Sequence, residues 1–235
     1  MLALTQGLMS LGAGGGGGSD PFFSNVVSLL NLEGPNGSTV YTDATGRSWA
    51  QVGNAVISTA SFPFGTSSLA LDGVGDAIST ASSVDFDFGA GDFTVECLVR
   101  VNTLGNQVFF GRRNSAGFSP FGLGVFGNKL QMLVSTTGTS WASTVADPVD
   151  FVTSAWTHVA LTRLGSTFTI WKSGAAVASA TVSGSVMSSS DGVRVGHWFP
   201  GNFETNGFIK GFRATRGVCR YTATFTPPSS LWPTS

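Results

Sequence analysis

Short stretches of alternating apolar and polar residues, each closed by a turn cluster, constrain the fold of this chain most strongly. The first stretch covers 26–30 and ends at the Gly-Pro-Asn-Gly cluster 34–37. Apolar residues nowhere keep helical spacing for three turns, so the sequence predicts an all-β chain with little helix. Strands so short and so evenly spaced are typical of a sandwich or barrel. The further predicted strands are 68–71, 77–80, 93–101, 108–111, 129–134, 156–163, 167–171, 176–182, 192–196 and 208–215.

Two local signals refine this prediction. Alternating runs flank the short turn 172–175, so residues 167–182 are expected to form a β-hairpin. Pro227 and Pro228 lack the N–H groups that a central strand needs. The sandwich is therefore expected to end near Phe225.

Three strands that are not neighbours in the chain carry matched apolar faces, as two stacked sheets about 10 Å apart require. These faces, with one residue of the last strand, form the predicted core: Val95, Cys97, Val99, Val159, Leu161, Phe168, Ile170 and Phe212. Glu96 lies on the opposite strand face from Cys97. It is expected to be partly exposed or paired with an arginine such as Arg163 or Arg213.

Composition narrows the class of protein. The chain has 235 residues, 11% of them charged, against about 25% in an average soluble domain. A surface of Ser, Thr, Gly and Asn suits a chain that packs among neighbours in an assembly. The net charge of −1 and the absence of a basic stripe give no reason to expect nucleic acid. No apolar run reaches the ~20 residues of a membrane span, and no basic residue precedes Arg47, so neither membrane nor signal peptide is expected.

The first twenty residues differ from the rest. An apolar stretch is followed by an unbroken glycine run at 14–18, which cannot hold a helix or strand by itself. We expect an N-terminal arm, 1–20, that attaches to a partner, followed by one β domain, 21–235; a disordered tail is the alternative. The expected attachment residues are Leu4, Leu8, Met9 and Leu11.

The chain has two cysteines, Cys97 and Cys219. Cys97 shares a strand face with Val95 and Val99, which favours a small buried thiol. A disulfide is the alternative, since sequence alone does not reveal the geometry it requires. Neither cysteine has the spacing of a metal ligand.

Four segments carry a family pattern. Residues 69–78 (LALDGVGDAI), 91–100 (GDFTVECLVR) and 156–163 (WTHVALTR) resemble conserved hairpins of laminin G-like domains. Residues 208–228 (FIKGFRATRGVCRYTATFTPP) are similar to the ending of this domain in tailed-phage structural proteins. The chain thus resembles the concanavalin A-like (laminin G-like) jelly-roll sandwiches of phage virions. Lys210 and Gly211 stand where the pattern usually has an Asp-Glu pair.

This resemblance implies a two-sheet antiparallel jelly roll and a place in the virion, after synthesis in the host cytoplasm. The first expectation is a capsid decoration or accessory protein anchored by the arm 1–20. The alternative is a tail fibre or spike module that binds host-surface carbohydrate. The expected partners are other virion proteins of the capsid, neck or tail, further copies of the chain in a homo-oligomer, and a glycan.

Enzymatic chemistry is not expected. Glycosidases need two carboxyl groups about 5–5.5 Å apart when they retain configuration. The chain has only three glutamates, Glu33, Glu96 and Glu204, none with an acidic neighbour within two positions. Asp85 and Asp87 lie two apart, but their surroundings indicate the start of a loop.

The two histidines do not suggest a triad. His158 lies within an alternating strand and matches a framework position of the family. His197 precedes a loop with Trp198 and Phe199. Packing of these rings between the sheets is the first expectation, and stacking of exposed rings on a sugar is the alternative.

Two further places are candidates for binding. Arg112 and Arg113 form the only adjacent basic pair, predicted either as a solvated turn or as a contact to an acidic partner or glycan. Asp72 and Asp76 flank two glycines in a tight loop. They are candidate calcium ligands, with simple turn capping as the alternative. No other cofactor is expected.

Overall fold

A computed structural model describes residues 18–198 and 203–235, and these form an all-β jelly-roll sandwich of two antiparallel sheets. Two single 3₁₀ turns, Phe23–Asn25 and Val84–Phe86, interrupt the strands. The predicted fold class is confirmed. The strands are β1 (Val26–Leu30), β2 (Trp49–Val52), β3 (Val56–Ser58), β4 (Ser68–Asp72), β5 (Ala77–Thr80), β6 (Phe93–Val101), β7 (Gln107–Gly111), β8 (Gly122–Phe126), β9 (Lys129–Met132), β10 (Ala146–Asp150), β11 (Thr157–Leu164), β12 (Thr167–Lys172), β13 (Ala175–Thr181), β14 (Arg194–Val195) and β15 (Asn206–Arg216).

The two sheets differ in strand order. The eight-stranded sheet runs β13-β12-β11-β6-β15-β4-β3, and β1 pairs with β15 beside β4. The seven-stranded sheet runs β10-β9-β8-β7-β14-β5-β2. Non-consecutive neighbours such as β6 and β15 mean that distant parts of the chain meet in each sheet.

Every residue predicted for the core is fully buried between the sheets. Phe212 of the eight-stranded sheet shows how the layers interlock. Its ring lies 5.6 Å from that of Trp49 and 5.9 Å from that of Phe110, both in the seven-stranded sheet. Chain end and chain middle thus share one core, as predicted.

The hairpin β12–β13 is confirmed, and its turn has a clear physical basis. Ser173 and Gly174 both adopt positive φ, at 48° and 83°. Two such residues in succession are the mark of a type I′ turn, whose twist matches that of the flanking strands.

Four strands were not predicted: β2, β3, β8 and β10. Strand β8 contains Gly122 and Gly124, and β10 contains Pro148, residue types that normally indicate turns. Proline is tolerated in β10 because this strand forms a sheet edge.

The last strand ends at Arg216, before the expected end near Phe225, and neither Pro227 nor Pro228 lies in a strand. The tail 217–235 continues across the outer face of the eight-stranded sheet, within the predicted domain 21–235. There the buried ring of Trp232 packs with Leu29 and Leu98, and the Arg213 guanidinium lies 4.7 Å from it. Burial of the Trp232 indole holds the tail on the sheet, although Pro227 and Pro228 cannot donate the hydrogen bonds of a central strand.

The first described residues contact the β domain. Asp20, the last residue of the predicted arm, is buried there and accepts hydrogen bonds from Arg213 and Arg220. Its backbone N–H donates to Ser235 at 2.9 Å. The four expected attachment residues of the arm lie outside the described residues. In the described ranges no helix has the length and apolar character needed to cross a membrane.

Candidate ligand-binding site

A row of small residues crosses the outer face of the seven-stranded sheet. Arg194 on β14 lies directly opposite Ser79 on β5 and Gly111 on β7, and Gly111 lies opposite Gly122 on β8. Directly opposed residues share a sheet face, and Val195, the neighbour of Arg194, is in the core. The row therefore faces outward, and its small members leave a depression beside Arg194.

Trp198 lies over the two glycines of this row. A Cβ on Gly122 would come within 2.7 Å of the indole Cζ2, and one on Gly111 would overlap Nε1. Glycine is thus required at both positions for the ring to approach the backbone. The indole also stacks on Trp141, with centroids 5.9 Å apart and planes at 19°. Trp198 is only 3% exposed, but it packs on the outer face of the seven-stranded sheet and not between the sheets. Phe199 lies outside the described residues.

The expectation of an exposed arginine pair is wrong for Arg112. Its guanidinium is buried beside the Asp87 carboxylate, with Nη1 and Oδ1 2.6 Å apart. It also donates to the carbonyl oxygens of Asp191, at 2.8 Å, and Ser189. With Ser82 Oγ at 3.2 Å, four acceptors compensate the burial of one cation, and Arg112 ties the loop 189–191 to the sandwich.

A cavity of about 360 Å³ opens between this loop and the sheet. It brings together two residues predicted as a ligand loop, Arg113 and Trp198. The polar and aromatic residues that line it are Ser79, Thr80, Arg113, Ser190, Asp191, Arg194 and Trp198. Its lining thus includes two arginines, one aspartate, three hydroxyl-bearing residues and a tryptophan.

The indole edge that carries Nε1 faces the sheet. Nε1 of Trp198 is buried against Gly111 and has no hydrogen-bond partner among the described residues. A buried donor without an acceptor carries a desolvation cost of about 1–3 kcal/mol. Arg113 lies 5.6 Å from the same ring, a cation–π distance, and burial lowers the pKa of its guanidinium.

A second polar cluster lies on the other side of the molecule, under the tail. Glu96 is fully buried there and accepts from Tyr221 Oη at 2.6 Å and from Arg213 Nε at 2.9 Å. His158 Nε2 lies 2.8 Å from the other side of the same carboxylate, at Oε2. The predicted pairing of Glu96 with Arg213 is confirmed. Arg163 instead donates to backbone carbonyls, among them Gly89 at 2.7 Å.

Opposing effects set the ionisation of this cluster. Burial raises the pKa of Glu96, but the nearby Arg213 charge and the His158 hydrogen bond outweigh it and hold that pKa far below its ordinary range. Burial, and then the Glu96 charge, raise the pKa of Tyr221 well above its usual value. Every acceptor of Glu96 is used within the fold, so His158 serves the framework, as predicted.

The two aspartates predicted as calcium ligands are used to hold a turn. Asp72 Oδ1 accepts from the Val74 N–H at 2.7 Å. Asp76 Oδ1 accepts from the Asn54 N–H at 2.7 Å, and its Oδ2 from the Asp72 N–H at 3.1 Å. Burial raises the pKa of Asp76. This geometry favours the capping role, and among residues 18–198 and 203–235 no three His, Cys, Asp or Glu side chains lie together as a metal set.

Both cysteines are free thiols, so the disulfide alternative is not formed. Cys97 is fully buried in the core, and burial raises the pKa of its thiol. Cys219 is half-buried, with Sγ 3.2 Å from the Tyr221 carbonyl oxygen.

The remaining glutamates lie apart from the cavity. Glu33 accepts from the buried Lys210 ammonium, which also donates to the Ser67 carbonyl at 2.6 Å. Glu204 Oε1 accepts from the Gly75 N–H at 2.8 Å. Asp191 is therefore the one acidic side chain among the described residues that line the cavity.

Sequence reasoning missed Ser79, Asp191 and Arg194 as cavity residues. Ser79 lies on β5, Arg194 on β14 and Asp191 in the loop before β14. These segments are distant in sequence and become neighbours because β14 pairs with β5 in the sheet. One signal was present: Gly111 and Gly122 stand in or beside apolar strand residues, where a glycine indicates close approach of another group.

A family model matches this sequence. The model for the concanavalin A-like lectin/glucanases superfamily covers residues 72–218, more than half of the chain. The chain belongs to this superfamily. A comparison with curated proteins gave no significant sequence match.

Solved structures of several other proteins share the fold. The binding domain of Paraclostridial mosquitocidal protein 1 is 14% identical with a TM-score of 0.64, and 85% of this chain covers 51% of it. The botulinum neurotoxin serotype G binding domain is 13% identical with a TM-score of 0.64, for 83% of this chain and 49% of that one. A Trypanosoma rangeli sialidase in complex with 2,3-difluorosialic acid is 14% identical with a TM-score of 0.60, for 84% and 32%.

This chain thus spans about half of the toxin binding domains and about a third of the sialidase. At these sequence identities the similarity establishes the fold alone. The ligand has to be inferred from the chemistry of the cavity.

Proposed function

We propose that this chain is a non-catalytic glycan-binding module of a phage virion. One observation carries the proposal: the cavity on the outer face of the seven-stranded sheet joins Trp198 to Arg113, Arg194, Asp191 and serine hydroxyls. Sugars present hydroxyl groups and apolar ring faces together. A site with a few convergent charged and hydroxyl groups beside an aromatic ring matches that chemistry.

The comparisons support binding in a general way. The superfamily description contains lectins, and two of the similar structures are described as toxin binding domains. The sialidase structure holds a sugar derivative, 2,3-difluorosialic acid. These are properties of those proteins, and they agree with the carbohydrate-binding alternative of the sequence analysis.

A binding role fits better than hydrolysis. A glycosidase of the usual kind needs two carboxyl groups at the scissile bond. Among the described lining residues the cavity offers one, Asp191, while Glu96 is enclosed by Arg213, His158 and Tyr221. Reducing-end assays on bacterial polysaccharides should stay at background, and turnover abolished by a carboxylate substitution would contradict this.

The place in the virion rests on the resemblance of residues 208–228 to the ending found in tailed-phage structural proteins. On this proposal the arm 1–20 attaches the module to capsid, neck or tail proteins, with Leu4, Leu8, Met9 and Leu11 as contacts. On this proposal, capsid decoration holds the module on the particle surface, where the cavity can bind glycans.

Filling the cavity tests glycan binding directly. Ser79→Phe places a large side chain of high β propensity in the depression beside Arg194. Thr169→Phe is the matched control, because Thr169 is likewise half-buried on a strand of the other sheet. On an array of bacterial surface polysaccharides, the wild type and Thr169→Phe should bind and Ser79→Phe should not. Equal binding by both variants would contradict the assigned site.

Deleting residues 2–18 tests the attachment. The deletion should leave a folded β domain by circular dichroism but abolish incorporation into particles. Normal incorporation of the truncated protein would refute the role of the arm.

A further inference from the structure

The charges around the cavity are unequal. Arg113 and Arg194 supply two positive charges, and Asp191 supplies one negative charge. The third arginine nearby, Arg112, pairs with Asp87 at 2.6 Å and does not line the cavity. The described lining of the cavity therefore has an excess of positive charge in a chain whose net charge is −1.

Both guanidinium groups are held by rigid parts of the fold. Arg194 lies on β14 between Ser79 and Gly111 of the neighbouring strands. Arg113 follows β7, and its guanidinium lies between the Trp198 ring and Gly117. A Cβ added to Gly117 would overlap this guanidinium. Arginine presents planar, paired donors that fit a carboxylate, and prior positioning of such donors reduces the entropy lost on binding.

We propose that the cavity selects acidic glycans, specifically those in which a sugar carries a carboxylate. This deepens the proposed function and rests on it. The carboxylate binds between Arg113 and Arg194, while Ser79, Ser190 and Asp191 bind sugar hydroxyls.

A polysaccharide array with chemical pairs separates this proposal from its alternatives. Each bacterial surface polysaccharide is spotted in its native form and after reduction of its carboxyl groups to alcohols. Dextran and dextran sulfate serve as neutral and sulfated references, since arginine also binds sulfate and phosphate oxygens. The full-length protein is the probe, and bound glycans are re-measured by calorimetry at low and high salt.

We expect binding to native acidic polysaccharides, its loss on carboxyl reduction, and weaker affinity at high salt because ionic interactions are screened. Arg194→Met and, independently, Arg113→Met should lower the affinity about tenfold or more, and Arg194→Lys should be intermediate. Arg100→Met, a charge removed from the eight-stranded sheet, is the control that should bind normally. Melting curves verify that each variant is folded.

The other outcomes separate the two proposals. Binding that survives carboxyl reduction, or that is confined to dextran or to dextran sulfate, would overturn the carboxylate specificity and leave glycan binding intact. Binding to no polysaccharide at all would overturn the proposed function together with this inference. Unchanged affinity in both arginine-to-methionine variants would refute the assignment of the ligand to this cavity.

Discussion

Glu96 and Arg213 lie directly opposite each other on β6 and β15, and their side chains form an ion pair with Oε1 and Nη2 2.8 Å apart. The pair is buried beneath the C-terminal tail. Arg213 also reaches Asp20 at 3.2 Å, and Glu96 accepts from Tyr221. Glu96, in the centre of the sheet, is therefore connected to Asp20 through Arg213 and to the C-terminal tail through Tyr221.

Removing the Glu96 charge should destabilise the fold strongly. In Glu96→Gln, Arg213 keeps its charge and its contact with Asp20 but loses its shorter buried ion pair. Breaking a buried pair costs about 3–5 kcal/mol, which is an upper bound here because Asp20 remains. Asp150→Asn is the control, since Asp150 pairs with Lys129 at the surface, where ion pairs contribute about 0–1 kcal/mol. Urea unfolding of both variants gives the comparison. Equal stabilities would show that the buried pair contributes no more than a surface one.

The same carboxylate should make the protein sensitive to acid. The pKa of Glu96 in the folded state lies far below its unfolded value of about 4.3, so folding favours the ionised form. Its contribution is therefore fully present above the unfolded pKa and is lost as the pH falls toward the folded pKa. Melting temperatures measured from neutral pH into the acid range should fall below about pH 4–5. Glu96→Gln should show a shallower decline, and an equally steep one would assign the effect to other groups.

Core truncation should show how the sandwich is held. Phe168 is fully buried, with its ring 5.8 Å from that of Phe93. Phe168→Ala should cost about 3–5 kcal/mol through lost burial and the cavity left behind. Val149→Ala, at a strand position 62% exposed, should change stability by less than about 0.5 kcal/mol. A loss below 1 kcal/mol in the phenylalanine variant would mean that the sheets can close over the vacated space.

The sequence predicts the core well because strand alternation is a local property. Val95, Cys97 and Val99 share a face whatever their partners are, and all three are buried as predicted. The same alternation predicts that Glu96 lies on the opposite strand face. Its pairing with Arg213 agrees with the general rule that buried charges are paired.

The binding cavity could not be predicted in the same way, because a one-residue irregularity decides which side chains face it. A register shift between Val108 and Phe110 interrupts the pairing of β7 with β8. As a result Phe109 and Phe110 both face the core, and Val108 packs on the outer face near Trp198. Such a bulge moves every later side chain to the other face, and it leaves no clear mark in the sequence.

The contact between Gly111 and Trp198 gives the last prediction, because it fixes the floor of the cavity. In Gly111→Ala the new methyl group would overlap the indole Nε1, so the ring must move away from the sheet and from Trp141. Near-ultraviolet circular dichroism should lose intensity from the stacked tryptophan pair, and glycan affinity should fall. Gly18→Ala is the matched control, since a Cβ there meets no atom within 4 Å. Far-ultraviolet spectra should match in both variants, because the change concerns one ring on the outer face of a retained sheet. An unaltered tryptophan signal in Gly111→Ala would show that the indole does not rest on this glycine, and the cavity floor would then need another origin.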